Sequence, residues 1–398
     1  MNKTTGRTEQ KEYEQTFQYV PIARNLKQLL EQPGYMSSIV NEQLINSEDH
    51  IFESYRDGSY YKKQCNDEQR EGISIDLLLY NDDFQTVNPL GSKKDKGKVL
   101  GVYLSVLSLP GKYRSRLDNI LLVALAQTTL VSKYGINAIL RPIVDDLQQL
   151  HTNGLYVNIP GEFEGHVIPR LHQAIGDNLA LNTALGFAGS FSANFFCRFC
   201  KAHKSVTQRQ VVEDEMLLRT ETTINADIEV QNVTTTGLQR SSSLNNLSYF
   251  HVAENRAPDV MHDFLEGIIP IELKLVVNEL ITNDTFTLDE LNGRIRSFSY
   301  GFTNQGNKPS QIPNSHLTRP FGSSGQTAAQ MHCLALYFPL LIGDKVSENS
   351  KFWELYALLL EIYRLVNAPI ISLDATYYLQ SKIKEHHTLF LRLLQNVT

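Results

Sequence analysis

The chain has 398 residues, of which 42% are hydrophobic and 20% are charged, and its formal net charge is −6. This balance is typical of a folded globular protein and excludes a largely disordered chain. Its longest apolar stretch, residues 120–131, is too short and too polar to cross a membrane, and the N-terminus has no apolar segment of a secretory signal. Only four cysteines are present, and two of them form a Cys-x-x-Cys pair. We therefore expect an intracellular protein that uses cysteine for metal binding and has no membrane partner.

The first half of the chain is predicted to be a helical segment followed by a strand-rich core. Residues 1–70 are polar with apolar residues at helical spacing, and residues 71–200 form the predicted core. The predicted strands of the core are, in chain order, 73–80, 99–109, 155–159 and 166–175. Residues 120–126 fit either a third strand or the start of a helix, and a helix is predicted for 142–150. Pro169 is unfavourable inside the last strand.

The second half is predicted to be helical after a polar insertion. Residues 201–250 are rich in Thr, Gln, Asn and Ser, which indicates a mobile insertion. Residues 251–282 contain a strong helix, with Pro270 as a potential kink, that completes the core. Residues 283–398 form the predicted helical C-terminal region. Its helices are predicted at 326–341, 352–366 and 377–393.

Three acidic residues are candidates for a divalent-cation site. Asp82 ends the first predicted strand, Asp177 follows a later strand, and Glu266 lies on the helix after the insertion. Two strand ends and a facing helix can bring three carboxylates together, and carboxylate oxygens are the ligands that Mg2+ and Mn2+ prefer. Two such ions can clamp the attacking and leaving oxygens of a phosphodiester. Taken singly, each of these residues is most simply a solvated surface side chain.

The Cys-x-x-Cys pair, Cys197 and Cys200, is predicted to bind a structural Zn2+. A single pair supplies two tetrahedral positions, so the other ligands must be histidines. His251 and His262 are the best candidates, with His203 as a local alternative. The competing interpretation is two buried, inert thiols in an aromatic pocket.

Clustered basic residues are the candidate DNA contacts. A lysine group in a charged turn and two following arginines are expected to contact the phosphate backbone, although such a turn is commonly only solvated. The residues are Lys93, Lys94, Lys96, Lys98, Arg114 and Arg116. A second basic group contains Arg198, Lys201, His203 and Lys204.

Four segments occur in a characteristic order. They are Tyr80-Asn-Asp-Asp-Phe with Asn88-Pro-Leu-Gly91; Gly176-Asp-Asn-Leu-Ala-Leu with Phe195-Phe-Cys-Arg-Phe-Cys200; Phe250-His-Val-Ala-Glu-Asn255 with Pro258-Asp-Val-Met-His-Asp-Phe-Leu-Glu-Gly267; and Ala328-Ala-Gln-Met331 with Pro339-Leu-Leu-Ile-Gly343. Together they resemble the CACTA (En/Spm-like) group of DDE-type DNA transposases, in the form found as transposon-derived proteins in animal genomes. Alignment from the Asn-Pro side selects Asp82 over Asp83.

The resemblance implies an α/β fold with a ribonuclease H-like mixed-sheet core, a zinc-binding insertion and a helical C-terminal region. It also implies a nuclear, Mg2+- or Mn2+-dependent enzyme that acts on transposon ends as a homo-oligomer. On that mechanism a metal-activated water cuts one strand, and a 3′-hydroxyl then attacks a phosphodiester. Two alternatives stay open. One is a transposon-derived DNA-binding or scaffold protein that cuts nothing, which the negative charge and the lack of an evident recognition module favour; the other is a general metal-dependent nuclease.

Overall fold

The computed structural model describes residues 14–66, 72–86, 97–319 and 324–395. The chain divides into two compact units. The first unit comprises Met1–Ile45, Arg70–Phe199 and Arg219–Ala257, and the second comprises Asn46–Gln69, Cys200–Leu218 and Pro258–Thr398.

The strands and helices alternate in the first half of the chain, and the second half is almost entirely helical. The strands are β1 (Gln18–Tyr19), β2 (Ile51–Phe52), β3 (Ile73–Gln85), β4 (Lys98–Val106), β5 (Ile120–Gln127), β6 (Leu155–Ile159), β7 (Phe163–Ile175) and β8 (Ile371–Ser372). The helices are α1 (Ile22–Leu30), α2 (Tyr35–Leu44), α3 (Ser59–Asn66), α4 (Gly111–Arg114), α5 (Thr128–Tyr134), α6 (Asn137–Asn153), α7 (Asn178–Leu185), α8 (Lys204–Thr207), α9 (Glu221–Val230), α10 (Val233–Thr236), α11 (Ile269–Thr282), α12 (Leu288–Ser297), α13 (Gly301–Asn304), α14 (Asn314–Thr318), α15 (Ala328–Ile342), α16 (Lys351–Val366) and α17 (Leu373–Gln395).

The first unit is built on a mixed six-stranded sheet with strand order β1-β5-β4-β3-β7-β6. Strands β3, β4 and β5 are antiparallel neighbours, whereas β7 runs parallel to β3. Parallel strands need a long crossover, which here contains α6. The α/β class and the mixed sheet agree with the prediction, and residues 120–127 form a strand.

Strand β7 is interior to the sheet although it contains Pro169, which pairs with Ile75 of β3. Its other neighbour, β6, pairs with β7 only between Phe163 and Val167. At Pro169, the side of β7 that faces away from β3 therefore has no β6 partner. On that side, the missing N–H of the proline interrupts no hydrogen bond between strands.

Helix α6 begins earlier than predicted, at Asn137 instead of residue 142. Its first turns bury Ile139 and Leu140, and this burial outweighs the preference of Pro142 for a helix start. The helix ends before Gly154, whose positive φ of 67° suits glycine.

Most of the polar stretch predicted to be a mobile insertion, from Arg219 onward, belongs to the first unit, whereas its residues up to Leu218 belong to the second. The main core contains Ile224, Leu238, Leu244 and Leu247 from this stretch, all buried against the sheet and its helices. The expectation was wrong for this part because a few well-spaced apolar residues anchor a segment that is polar on average.

The second unit is helical, which confirms the prediction for the C-terminal region. Its main core includes buried faces of α11, α15 and α16. A π-helical turn, Met261–Ile268, precedes α11, and Pro270 occupies the first turn of that helix. The wider turn accommodates a residue that cannot donate a backbone hydrogen bond. None of the described helices is long and apolar enough to cross a membrane.

Candidate active site

Two of the three predicted acidic residues lie at one edge of the sheet in the first unit. Tyr80 of β3 pairs with Ile175 of β7, and this is the last pair of the parallel register. Asp82 follows Tyr80 by two residues within β3, and Asp177 follows Ile175 by two residues, after β7 has ended. The prediction that Asp82 ends its strand was wrong, because β3 continues to Gln85 through its pairing with β4. Since β3 and β7 run in the same direction, both carboxylates lie just beyond the last pair of the parallel register, and both are partly exposed.

Two donors within the same strand hold the carboxylate of Asp82. The hydroxyl of Tyr80 donates to Oδ2 at 3.0 Å, and the backbone N–H of Asp83 donates to Oδ1 at 2.7 Å. A carboxylate oxygen has two acceptor positions, so both oxygens of Asp82 retain one for a cation. The neighbouring Asp83 is exposed, and its carboxylate accepts a hydrogen bond from the Thr128 hydroxyl at 3.1 Å.

Asp177 is the N-cap of helix α7. Its Oδ1 accepts a hydrogen bond from the backbone N–H of Ala180 at 2.6 Å. This bond is the usual N-cap interaction, and the positive end of the helix dipole stabilises the carboxylate there. The helix ends at Gly186, which has a φ of 85°, and a side chain there would meet the carbonyl of Arg240. The short helix thus fixes Asp177 at the end of β7.

The surroundings of this carboxylate pair are negative. Burial, and then the charge and hydrogen bond of Asp82 and the charge of Asp177, raise the pKa of Tyr80 above its usual range. Among the described residues, no lysine or arginine forms an ion pair with either carboxylate. Two carboxylates at one sheet edge with no partner cation suit a hard divalent ion.

A second acidic residue of β3, Asp76, has a structural environment. It is buried beside Arg170 of β7, whose Nη2 lies 2.8 Å from Oδ1 and whose Nε lies 3.0 Å from the same atom. The imidazole of His172 lies 4.0 Å from that oxygen. This cluster was not predicted, because the sequence of two mainly apolar strands does not indicate which of their polar side chains will meet.

The third predicted acidic residue, Glu266, belongs to the second unit and lies on the π-helical turn. His262 lies one turn earlier on the same face. Its Nδ1 is hydrogen-bonded to the carboxylate of Asp259, and its Nε2 lies 3.8 Å from Oε2 of Glu266. The sequence prediction assigned His262 and Glu266 to different metal ions, whereas the structure places them side by side.

The predicted zinc ligands are divided between the two units. Cys197 and His251 belong to the first unit, and Cys200, His203 and His262 belong to the second. Across the described ranges, no group of three or more His, Cys, Asp and Glu side chains is arranged to hold a metal ion.

The histidine candidates have protein partners of their own. Nδ1 of His251 accepts the N–H of Ala253 at 3.1 Å, and burial lowers the pKa of His251. Nδ1 of His203 accepts the N–H of Ser205 at 3.2 Å and caps helix α8.

The Cys-Arg-Phe-Cys segment has a role that does not depend on zinc. Arg198 is buried, and its guanidinium donates to Oδ1 of Asn178 at 2.7 Å and to the carbonyl of Ala257 at 3.1 Å. The ring of Phe199 lies under two guanidinium groups, those of Arg198 and Arg256. Arg198 therefore fastens the start of the helix that Asp177 caps, and it is not an exposed DNA contact as its place in the second basic group had suggested.

The predicted DNA contacts are at different ends of the sheet. Lys98 pairs with Gln85 and is exposed near the Asp82 edge. Arg114 and Arg116 lie in the connection between β4 and β5, at the opposite edge. Arg114 donates to the carbonyl of Leu109 at 2.6 Å, and Arg116 pairs with Asp118 at 3.3 Å. Lys93, Lys94 and Lys96 lie outside the described residues.

Neither the comparison with protein-family models nor the comparison with curated proteins finds a match. The functional assignment therefore depends on the carboxylate pair, on the topology of the sheet that carries it and on the four sequence segments.

Proposed function

We propose that the first unit is the catalytic core of a DDE-type DNA transposase, with Asp82 and Asp177 as ligands of Mg2+ or Mn2+. The observation that carries this proposal is the position of the two carboxylates just beyond the last residue pair of the adjacent parallel strands β3 and β7. An antiparallel β3-β4-β5 meander followed by a helical crossover and a parallel β7 supports a ribonuclease H-like core, the fold that the transposase resemblance implies.

The residues present fit a divalent ion. Asp82 is held in one orientation by two donors, and Asp177 is fixed by its helix cap, so neither carboxylate needs to be ordered when an ion binds. A bound Mg2+ or Mn2+ supplies a Lewis acid that lowers the pKa of a water and offsets charge on the scissile phosphate. The two side chains bind and orient the ion, and the surface position of the edge leaves room for a DNA strand.

The remaining parts of the proposal stay predictions from sequence. Glu266 is the proposed third acidic residue, and Cys197, Cys200, His251 and His262 are the proposed ligands of a structural Zn2+. The proposed substrate is DNA at transposon ends, the proposed compartment is the nucleus and the proposed active state is a homo-oligomer. Lys98 is the described basic residue best placed to contact a DNA backbone bound at the carboxylate edge.

Strand cleavage tests the proposal directly. The full chain is incubated with Mg2+ or Mn2+ and a supercoiled plasmid carrying the genomic sequence that flanks the reading frame, which the proposal expects to contain inverted repeats. We expect metal-dependent nicking, and Asp177→Asn should reduce its rate by at least about 100-fold because a metal ligand is lost. Asp83→Asn is the matched control, since Asp83 is adjacent but exposed on the other face of the strand, and it should retain activity. Equal nicking by Asp177→Asn would remove the proposal.

A second candidate is a transposon-derived DNA-binding or scaffold protein without nuclease activity. The observation that favours it is that both oxygens of Asp82 and one oxygen of Asp177 already accept protein hydrogen bonds. This candidate predicts DNA binding that is independent of Mg2+ and no nicking of any substrate. Nicking without preference for the repeats would instead indicate a general metal-dependent nuclease.

A further inference from the structure

Tyr80 is hydrogen-bonded to one carboxylate of the candidate site and is acted on by the charge of the other. It is on the same face of β3 as Asp82, because alternate residues of a strand point to the same side. Its hydroxyl donates to Oδ2 of Asp82 at 3.0 Å. The charge of Asp177 also acts on this hydroxyl, from the end of the neighbouring strand. Tyr80 belongs to the Tyr80-Asn-Asp-Asp-Phe segment, and its period-two spacing from Asp82 is the signal in the sequence for a shared role.

We propose that Tyr80 is a positioning residue that holds the carboxylate of Asp82 in its metal-binding orientation, an inference that rests on the proposed function. A free aspartate side chain must lose rotational freedom when it binds an ion. Asp82 is instead held from both sides, by the Tyr80 hydroxyl on Oδ2 and by the Asp83 N–H on Oδ1. Hydrogen bonds of this kind, made to a metal ligand by a residue behind it, typically change metal affinity by about 10- to 100-fold.

The hydroxyl also reduces the repulsion between the two carboxylates. A neutral phenol directs the positive end of its O–H dipole at Asp82, in a region where the described residues provide no paired lysine or arginine. The dipole therefore offsets part of the negative charge of Asp82. Deleting the hydroxyl should therefore weaken the binding of the cation and leave the site unchanged once the cation is bound.

The Tyr80 ring has a packing role that can be separated from its hydroxyl. Tyr80 pairs with Tyr103 of β4, and their ring centroids are 6.1 Å apart. Tyr80→Phe keeps this ring and removes only the donor, so the strand should fold normally. Tyr103→Phe is the matched control, because it removes a hydroxyl from the neighbouring ring without touching the bond to Asp82.

Binding of Mn2+ to the full-length protein, without DNA, is the test. Titration followed by electron paramagnetic resonance measures the free ion for the wild type, Tyr80→Phe, Tyr103→Phe and Asp82→Asn. We expect a Kd about 10-fold higher for Tyr80→Phe, at the low end of the usual range because Tyr80 is partly exposed, and a Kd within about twofold of wild type for Tyr103→Phe. Asp82→Asn, which removes a ligand, should bind most weakly. At saturating Mn2+ the nicking rate of Tyr80→Phe should return to within about twofold of wild type, since affinity alone is lost.

The outcomes separate this inference from the function on which it rests. Equal or tighter Mn2+ binding by Tyr80→Phe overturns the positioning role, while Asp177→Asn still decides the transposase proposal. Wild-type binding of Mn2+ without any nicking removes the transposase proposal and leaves the positioning role standing. Failure of the wild type to bind Mn2+ overturns both.

Discussion

The paired strands β3 and β7 carry acidic residues near both ends, and the two ends differ in how these residues are neutralised. Near the start, Asp76 is buried and lies opposite Arg170 in the strand register. At the far end, Asp82 and Asp177 are partly exposed and have no lysine or arginine partner within the described part of the chain. The same residue type therefore has two different environments on one strand.

The difference shows what separates a structural carboxylate from one that is available to a ligand. A buried carboxylate is tolerated only with a partner charge and hydrogen bonds, and such a pair leaves no capacity for an ion from solution. A carboxylate at a strand end keeps water and needs no cation of the protein. Its unneutralised charge is what makes it suitable for binding Mg2+ or Mn2+.

The largest expected effect is on the buried end. Arg170→Leu leaves Asp76 buried without its cation, and we expect a loss of about 3–5 kcal/mol in the free energy of unfolding, measured by urea denaturation. Arg116→Leu, which breaks the exposed pair with Asp118, should cost no more than about 1 kcal/mol. The double variant Asp76→Leu, Arg170→Leu should recover much of the loss, because no charge remains buried. A loss below about 1 kcal/mol for Arg170→Leu would contradict the structural role of the pair.

The buried end should also make stability depend on pH through His172. Burial lowers the pKa of His172, an effect that Arg170 reinforces and Asp76 partly offsets. The folded state therefore binds a proton less readily than the unfolded state, whose imidazole titrates near its ordinary value of about 6.5. Stability is fully present above that value and is lost as the pH falls through it, with a slope of at most about 1.4 kcal/mol per pH unit. Denaturation of wild type and His172→Gln between pH 8 and 5 (a window of about ±1.5 units around that pKa) should show a flatter profile for the variant. Parallel profiles would exclude His172 as the source.

At the open end, the helix cap and the metal-binding role of Asp177 can be separated. Asp177→Asn keeps an oxygen that can accept the Ala180 N–H, whereas Asp177→Ala removes it. We expect Asp177→Ala to lose about 1 kcal/mol of unfolding free energy relative to Asp177→Asn, while both lose Mn2+ binding. Equal stability of the two variants would show that the cap contributes nothing.

The smallest expected effect on stability is that of Asp82→Asn. The side chain is partly exposed, and asparagine can still accept a hydrogen bond, so the free energy of unfolding should change by no more than about 0.5 kcal/mol. The same variant should lose Mn2+ binding, measured by the titration described above. A destabilisation of more than about 2 kcal/mol would mean that Asp82 is a structural residue like Asp76.

Local patterns predicted much of the fold. Apolar runs bounded by turn residues located β3, β4 and β7, and helical spacing located the C-terminal helices, with boundary errors of a few residues. The same patterns located Asp177 at the end of its strand but ended the strand of Asp82 too early, and both residues lie just beyond the last parallel pair of β3 and β7. The role of Glu266 and of the zinc ligands stays a prediction.

The features that were predicted wrongly depend on contacts between distant parts of the chain. The polar composition of residues 201–250 did not reveal that Ile224 and Leu238 would be buried. The sequence of the Cys-x-x-Cys segment likewise did not reveal that Arg198 would bind Asn178, 20 residues earlier in the chain. In both cases a single side chain matters more than the average of its segment, because burial of one apolar or charged group changes stability by several kcal/mol, roughly 2–5.

The amino-acid sequence alone indicated the main strands of the core and the long C-terminal helices in their order, since strand and helix periodicity depend on residues close together in the chain. Only the tertiary structure decided that β7 lies parallel to β3 in the register that joins Asp76 to Arg170 and Tyr80 to Ile175. The physical reason is that residues 94 positions apart meet only where the whole sheet and its helices bury their apolar faces best. The packing of the complete core therefore determines that Asp76 is paired with Arg170 and that Asp82 and Asp177 stay partly exposed.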